Sequence, residues 1–266
     1  MSSPPAIETR NVSLAFDEKQ VLRDVSVRLG TAETLVLLGV TGSGKSVLLK
    51  LLMGLLKPDS GRVLVEGRDI TPLEESDLRP VRRRMGIVFQ EGALFDSLSV
   101  HENVAYGLRE GGRTDEEGIA RLVREVLQFV AMEQAIEKMP SELSGGMRRR
   151  VSIARAIATQ PAIMLYDSPT AGLDPVTSHT IIVLIAKLRD MQQVSSVVVT
   201  QRVQDAFALA NFVYSPDQQD LIPADGKAAP HASTRFLVLR DGEVYFEGTP
   251  EEFVRNQDPY LRKFLA

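Results

Sequence analysis

Residues 39–46 constrain the fold more than any other part of this chain. They read Gly-Val-Thr-Gly-Ser-Gly-Lys-Ser, follow the apolar segment Thr34–Leu38 and precede a helical run at 47–56. A strand, a glycine-rich turn and a helix in this order form a phosphate-binding loop (P-loop), whose backbone N–H groups face an anion. Lys45 adds a positive charge for the outer phosphates, and the Ser46 hydroxyl can ligate Mg²⁺. Because strand, spacing, Lys and Ser occur together, a turn without a ligand is disfavoured and nucleotide binding is predicted.

A second apolar strand ends in a carboxylate. Residues 162–167 read Ala-Ile-Met-Leu-Tyr-Asp, and open α/β sheets bind ligands at the carboxyl ends of their strands. Asp167 alone is weak evidence, because many buried strands end in Asp. Beside a P-loop it is expected to hold Mg²⁺, directly or through water.

The chain alternates short apolar runs with helical patterns, which is typical of an α/β protein with a mostly parallel sheet. Before the P-loop, Ile7–Phe16 and 21–29 predict an antiparallel hairpin. Residues 100–159 have helical patterns, and Thr114 followed three residues later by Glu117 predicts a capping box.

We therefore expect one domain over 6–266. Its fold class is α/β, a P-loop NTPase (RecA-like) core with an antiparallel β subdomain and an inserted helical subdomain. The core comprises 6–90 and 160–266, and the helical subdomain comprises about 91–159. Residues 214–234 are polar and interrupted by three prolines and Gly226, so a flexible surface excursion is predicted there.

Composition excludes several classes of function. The chain of 266 residues has 31 Lys and Arg against 35 Asp and Glu, so no positive excess favours nucleic acid. There is no cysteine, which excludes disulfides, thiolate nucleophiles and Cys-ligated metal sites. The three histidines have no recognisable metal-ligand spacing. The apolar runs are too short for a membrane span, and no leader sequence is evident, so a cytosolic-type protein is expected.

Further motifs occur in an order that resembles the ATPase subunit of ABC transporters. Gln90 follows the strand-like segment 85–89 and matches the Q-loop. Residues 143–147, Leu-Ser-Gly-Gly-Met, match the signature motif, and 171–174, Ala-Gly-Leu-Asp, match the D-loop. Phe16 lies where this family has its adenine-stacking aromatic residue; the alternative is an apolar strand residue in the hairpin.

The signature residues precede a helix that is predicted to begin near Met147. Backbone N–H groups at such a helix start can face an anion. The resemblance implies that this half-site completes the ATP site of a second cassette in a head-to-tail dimer. The alternative is a Ser-Gly-Gly helix cap without a ligand.

The resemblance implies the following roles. The catalytic residues are Lys45, Gln90, Asp167, Ser168 and Gln201. The ATP-binding residues are Phe16, Gly39, Val40, Thr41, Gly42, Ser43, Gly44, Lys45, Ser46, Val47, Ser144, Gly145, Gly146 and Asp174. The Mg²⁺ ligands are Ser46, Gln90 and Asp167. Because Pro175 follows Asp174, a plain N-cap is equally compatible with that aspartate.

Within this family, residues 89–104 and 258–264 and Met147 are similar to the Mla-type, MCE-associated phospholipid transport ATPases. The implied partners are a second ATPase subunit, membrane permease subunits and an MCE-domain lipid-binding protein, without nucleic acid. The implied location is cytoplasmic, peripheral on the inner membrane. Leu94 and Phe95 are expected to contact the permease, or alternatively to pack in the core.

Two catalytic positions depart from the family pattern. Ser168 replaces the glutamate that activates water, and Gln201 replaces the switch histidine. A positioned general base contributes about 10² to 10⁴ in rate, which serine cannot supply, whereas an amide can still orient water.

Three hypotheses follow. The first is a homodimeric transport ATPase with weak or partner-stimulated hydrolysis. The second is a non-hydrolysing subunit that pairs with a catalytically complete cassette. The third is a soluble ABC-type factor acting on DNA or ribosomes, which the single cassette and the lack of basic excess disfavour.

Overall fold

The computed structural model describes residues 4–224 and 233–265. Its central sheet has six strands in the order β12-β11-β3-β8-β7-β6. These strands are β3 (Thr34–Leu38), β6 (Met85–Val88), β7 (Ile163–Asp167), β8 (Ser195–Val199), β11 (Thr234–Arg240) and β12 (Glu243–Gly248). All neighbours are parallel except the edge pair β11 and β12. The mostly parallel sheet predicted from the sequence is confirmed.

A second sheet is antiparallel, with the order β2-β1-β4-β5. It consists of β1 (Ile7–Phe16), β2 (Lys19–Leu29), β4 (Ser60–Val65) and β5 (Arg68–Asp69). The strands β1 and β2 form the predicted hairpin. This sheet packs with one face of the central sheet in a shared apolar core.

Helices cover the central sheet. They are α1 (Lys45–Leu52), α2 (Glu75–Arg82), α3 (Val100–Glu110), α4 (Glu116–Phe129), α5 (Gly145–Ile157), α6 (Pro175–Gln192), α7 (Val203–Asn211), α8 (Pro250–Arg255) and α9 (Pro259–Arg262). The run predicted at 47–56 is shorter as a helix, because Gly54 adopts a left-handed φ of 64° and ends α1. Among residues 4–224 and 233–265, no helix combines the length and apolarity that a bilayer crossing requires.

The helices α3, α4 and α5 all lie between residues 91 and 159, the range predicted for the helical subdomain. The division into subdomains itself stays a prediction. The predicted cap of α4 is displaced by one residue: Asp115 is the N-cap, and its carboxylate accepts the Gly118 N–H at 3.1 Å. Because Asp is a strong N-cap residue, it takes this position in place of Thr114.

Part of the segment 214–234 is regular, which corrects the predicted flexible excursion. Strands β9 (Phe212–Ser215) and β10 (Asp220–Pro223) form an antiparallel pair. Two contacts anchor the pair on α6: the Tyr214 N–H donates to Asp190 at 2.8 Å, and His179 Nε2 lies 2.7 Å from Asp220 Oδ1. Residues 225–232, the rest of the predicted excursion before β11, lie outside the described residues.

The side chains of β7 alternate between two cores. Met164 and Tyr166 join the core shared with the helices, whereas Ile163 and Leu165 join the core shared with the antiparallel sheet. A strand buried on both faces in this way is held firmly in place. Its carboxyl end, Asp167, is therefore delivered at a fixed point beside the P-loop.

Candidate nucleotide site

The P-loop has the backbone that its glycines allow. Gly39 has a φ of 151° and Gly44 a φ of 100°. A Cβ at Gly39 would lie 2.6 Å from the Leu239 carbonyl oxygen, and one at Gly44 would lie 2.7 Å from Leu22 Cδ2. Any other residue would strain the loop at both points.

The Lys45 amine is held within this loop. Lys45 is only 6% exposed, and its Nζ donates to the Val40 carbonyl at 2.7 Å and to Ser43 Oγ at 3.3 Å. Burial lowers the pKa of Lys45, while the charge of Asp167 opposes that shift. The amine is thus positioned inside the turn that would surround a phosphate.

An open cavity of about 1040 Å³ lies against the P-loop. It brings together ten of the residues predicted for the site: Phe16, Thr41, Gly42, Gly44, Lys45, Ser46, Val47, Gln90, Ser168 and Gln201. Gly39, Val40 and Ser43 belong to the loop backbone around Lys45 but do not line the cavity. The roles of all these residues stay predictions, but their convergence on one cavity supports them.

Sequence reasoning missed a further wall of the cavity. Asp241 and Gly242, in the turn between β11 and β12, line it, as do residues 17–21, which form the turn after β1 and the start of β2. An Asp-Gly pair is typical of a hairpin turn and does not by itself indicate a ligand site. Because β11 is the parallel neighbour of β3, that turn comes to lie beside the P-loop.

Phe16 lies at the mouth of the cavity. It is the last residue of β1 and is 46% exposed. Phe16 is thus a strand residue of the hairpin, as in the alternative, but its ring is exposed beside the cavity, and its stacking role stays a prediction. The exposed ring can stack on a planar base.

Ser168 and Gln201, the two residues that depart from the family pattern, also line the cavity. Ser168 has a left-handed φ of 49°, and its hydroxyl lies 3.3 Å from Asp167 Oδ1. Gln201 Oε1 accepts a bond from the Thr41 hydroxyl at 3.4 Å. Neither residue carries a carboxylate or an imidazole, so general-base chemistry at these two positions is absent.

The residues present fit Mg²⁺. Ser46 and Gln90 line the cavity, Asp167 lies near Lys45, and their hydroxyl, amide and carboxylate oxygens suit this hard cation. Within 4–224 and 233–265, there is no cluster of three or more His, Cys, Asp or Glu that could hold a metal alone.

The signature residues lie outside the cavity lining. Helix α5 begins at Gly145, two residues before the predicted start at Met147, because Ser144 is the N-cap and its hydroxyl accepts the Met147 N–H at 3.3 Å. Asp174 likewise caps α6, accepting the Thr177 N–H at 3.0 Å. Two hydrogen bonds from Thr177 lower the pKa of Asp174: the bond from its hydroxyl has the larger effect, followed by the bond from its backbone N–H. The N-cap alternative is thus observed for Ser144 and Asp174, and their interface roles stay predictions.

The two signature glycines are expected to differ in their tolerance of alanine. A Cβ at Gly146 would lie 2.3 Å from Thr177 Cγ2. The Thr177 hydroxyl bonds Asp174 at 2.5 Å, so its side chain cannot turn away without losing that bond. We expect Gly146→Ala to lower the free energy of unfolding by about 1–3 kcal/mol.

Gly145→Ala is the matched control. Its Cβ would lie 3.5 Å from Leu173 Cδ2, which is ordinary van der Waals contact. We therefore expect the free energy of unfolding to change by less than about 1 kcal/mol. Urea denaturation of both variants measures the difference. Equal stabilities would show that Gly146 is not required for the packing of α5 on α6.

The segment after Gln90 presents one residue to solvent and one to the core. Phe95 is 41% exposed, with its ring 4.7 Å from Tyr106 and 5.6 Å from the Arg155 guanidinium. Leu94 is half-buried and packs against the core. The exposed rings of Phe95 and Tyr106 are accessible to another protein, whereas Leu94 packs in the core, as the alternative predicts.

Comparisons with known proteins agree on the family. A family model described as "ABC transporter" matches residues 22–171. The intermembrane phospholipid transport system ATP-binding protein MlaF of Haemophilus influenzae is 33% identical over 259 residues, covering 97% of this chain and 89% of MlaF. The chloroplastic protein TRIGALACTOSYLDIACYLGLYCEROL 3 of Arabidopsis thaliana is 35% identical, covering 98% of this chain and 73% of that protein.

A solved structure has the same fold. It is the dimeric structure of an ATP-binding cassette in a post-hydrolysis state, bound to ADP and Pi. The TM-score is 0.77 at 29% identity, covering 91% of this chain and 98% of that chain.

Proposed function

Because this chain belongs to the ABC transporter family, as the ATP-binding subunit of a transporter and an ATPase, we propose that it dimerises around ATP and drives phospholipid transport. The observation that carries this proposal is the cavity that joins the P-loop to Gln90, Ser168 and Gln201. It is open to solvent, and the signature residues of the same chain do not line it. A second copy, placed head to tail, can supply its signature helix start to the open side.

Each residue has a task in this scheme. The P-loop amides and Lys45 bind the phosphates, and Phe16 stacks on the adenine. Mg²⁺, when bound by Ser46, Gln90 and Asp167, would neutralise charge on the phosphate oxygens. Gln201 orients the attacking water through its amide, without accepting its proton.

We expect slow hydrolysis from this arrangement. Ser168 has no carboxylate, and phosphoryl transfer then depends on positioning and charge alone. A second function therefore stays open: a non-hydrolysing subunit that pairs with a cassette carrying the missing Glu and His. In both schemes closure around ATP moves attached membrane subunits.

The phospholipid substrate and the partners are proposed from the relatives. The name of the MlaF relatives describes an intermembrane phospholipid transport system. Over nearly its full length this chain is similar to them, so we propose permease subunits and an MCE-domain lipid-binding protein as its partners. It would then lie peripherally on the cytoplasmic face of the inner membrane, with the Phe95 and Tyr106 pair toward the permease.

A reconstituted system tests the proposal. The chain is co-purified with its permease and MCE-domain proteins, placed in liposomes, and assayed for ATP-dependent transfer of fluorescent phospholipid to acceptor vesicles. We expect transfer and phosphate release together, and neither with Lys45→Ala. Binding of ATP without phosphate release by the homodimer would favour the second function, and absence of phospholipid transfer under active hydrolysis would contradict the substrate.

A further inference from the structure

We propose that Asp205, on α7, is a positioning residue that fixes the separation of Ser168 and Gln201 across the nucleotide cavity. This inference rests on the proposed roles of those two residues. Asp205 does not itself line the cavity. It acts through the two chain segments that carry them.

The carboxylate of Asp205 joins these segments directly. It accepts hydrogen bonds from the hydroxyls of Thr170 and Thr200, the latter at 3.4 Å, and both reach the same oxygen, Oδ2. Thr170 is two residues after Ser168, and Thr200 immediately precedes Gln201. All three members of this cluster are at most 5% exposed.

The cluster lies where the backbone pairing of the two strands stops. Asp167 of β7 is in register with Val199 of β8, and the Ser168 N–H still donates to the Val199 carbonyl at 2.9 Å. The left-handed φ of Ser168 then turns the chain away from β8. Beyond that point the side chain of Asp205 provides the next link between the two segments.

Arg202 extends the same network to the helix after the D-loop. Its backbone N–H donates to the Thr200 hydroxyl at 3.0 Å, and its Nε lies 3.6 Å from Asp205 Oδ1. Its guanidinium donates to Ser178 Oγ on α6 at 2.9 Å. The loop of Gln201 is thereby tied to α6, which begins at the Asp174 cap.

Burial makes this carboxylate costly unless it is well bonded. Desolvation raises the pKa of Asp205, and the hydrogen bonds from Thr170 and Thr200 and the charge of Arg202 oppose that shift. A buried carboxylate that bridges two threonines needs both hydroxyls as donors. Because both hydroxyls bond Oδ2, removing this oxygen breaks both links at once, whereas an amide oxygen in the same place still accepts both bonds.

Steady-state kinetics of Asp205→Ala, which removes the accepting oxygen, test the inference. Because small misplacements of reacting groups are costly, we expect kcat to fall by about 10- to 100-fold, with KM and the calorimetric Kd for ATP changed by less than about twofold. Thr170→Val is expected to reproduce this loss, and Thr170→Ser, which keeps the hydroxyl, to retain near wild-type turnover. An unchanged kcat in Asp205→Ala would overturn the proposal.

Asp190→Ala is the matched control. Asp190 is also largely buried and bonded, but to Arg189 and the Tyr214 N–H, and it does not line the cavity. We expect it to change stability without changing kcat. A similar loss of kcat in both variants would assign the effect to general destabilisation.

A second measurement does not depend on hydrolysis. Because the chain has no cysteine, Ser168→Cys and Gln201→Cys can each carry one spin label. We expect strong, well-defined dipolar broadening between the labels with Asp205 present, and a broader distribution of separations with Asp205→Ala. Identical spectra would overturn the positioning role, even in a chain that hydrolyses no ATP.

Discussion

Lys45→Ala is expected to abolish ATP binding. The amine is a buried cation inside the P-loop, and it donates to the Val40 carbonyl and to Ser43 Oγ. Truncating one partner of such a desolvated charge contact costs about 2–5 kcal/mol. We therefore expect the Kd for Mg-ATP to rise by at least about 30-fold, measured by isothermal titration calorimetry.

The fold should tolerate this change. Burial already lowers the pKa of Lys45, so the charged amine does not gain stability from its position. Lys50→Ala is the control, because Lys50 is exposed on the last turn of the same helix. Tight ATP binding by Lys45→Ala, with Lys50→Ala unchanged, would contradict the assignment of the phosphate site.

The second large effect is a gain of activity. Ser168→Glu combined with Gln201→His should raise turnover, because both side chains line the cavity and the pair restores a carboxylate and an imidazole. A positioned general base is worth about 10² to 10⁴ in rate, so we expect at least tenfold faster phosphate release by the double variant. The turnover is measured as the rate of phosphate release under saturating Mg-ATP.

A second double variant, Ser168→Gln with Gln201→His, distinguishes the effect of a carboxylate at position 168 from the effect of a larger side chain there. Glutamine has the size of glutamate but cannot accept the proton, so the gain should be lost. An equal gain with glutamine would show that packing at this position limits the rate. No gain in either variant would show that a step other than water activation is limiting.

Much of the fold was predictable because its signals are local. The apolar strand Thr34–Leu38, the glycine turn and the following helix are contiguous, as are the two strands of the first hairpin. The predicted ends of helices were wrong where a single residue caps or terminates the helix. Gly54 ends α1 early, and Asp115 caps α4 in place of Thr114.

The predictions for 214–234 failed in part for a different reason. Prolines and polar residues indicated irregular chain, but β9 and β10 are stabilised by contacts with α6, which is distant in sequence. Likewise, the signature residues indicated a helix start, two residues later than the observed one, but not the 2.3 Å that separates a Cβ at Gly146 from Thr177. Such contacts leave no periodic pattern in the sequence.

By itself, the sequence determined the chemistry of the phosphate loop, because residues 39–46 carry the glycines, Lys45 and Ser46 in one uninterrupted turn. The tertiary structure decided which distant residues share its cavity. The parallel order β11-β3-β8-β7 places Asp241, Gln201 and Ser168 at the same sheet edge, and α7 lays Asp205 between two of their segments. Strand order depends on the packing of all the elements together, so no local stretch of the chain encodes it.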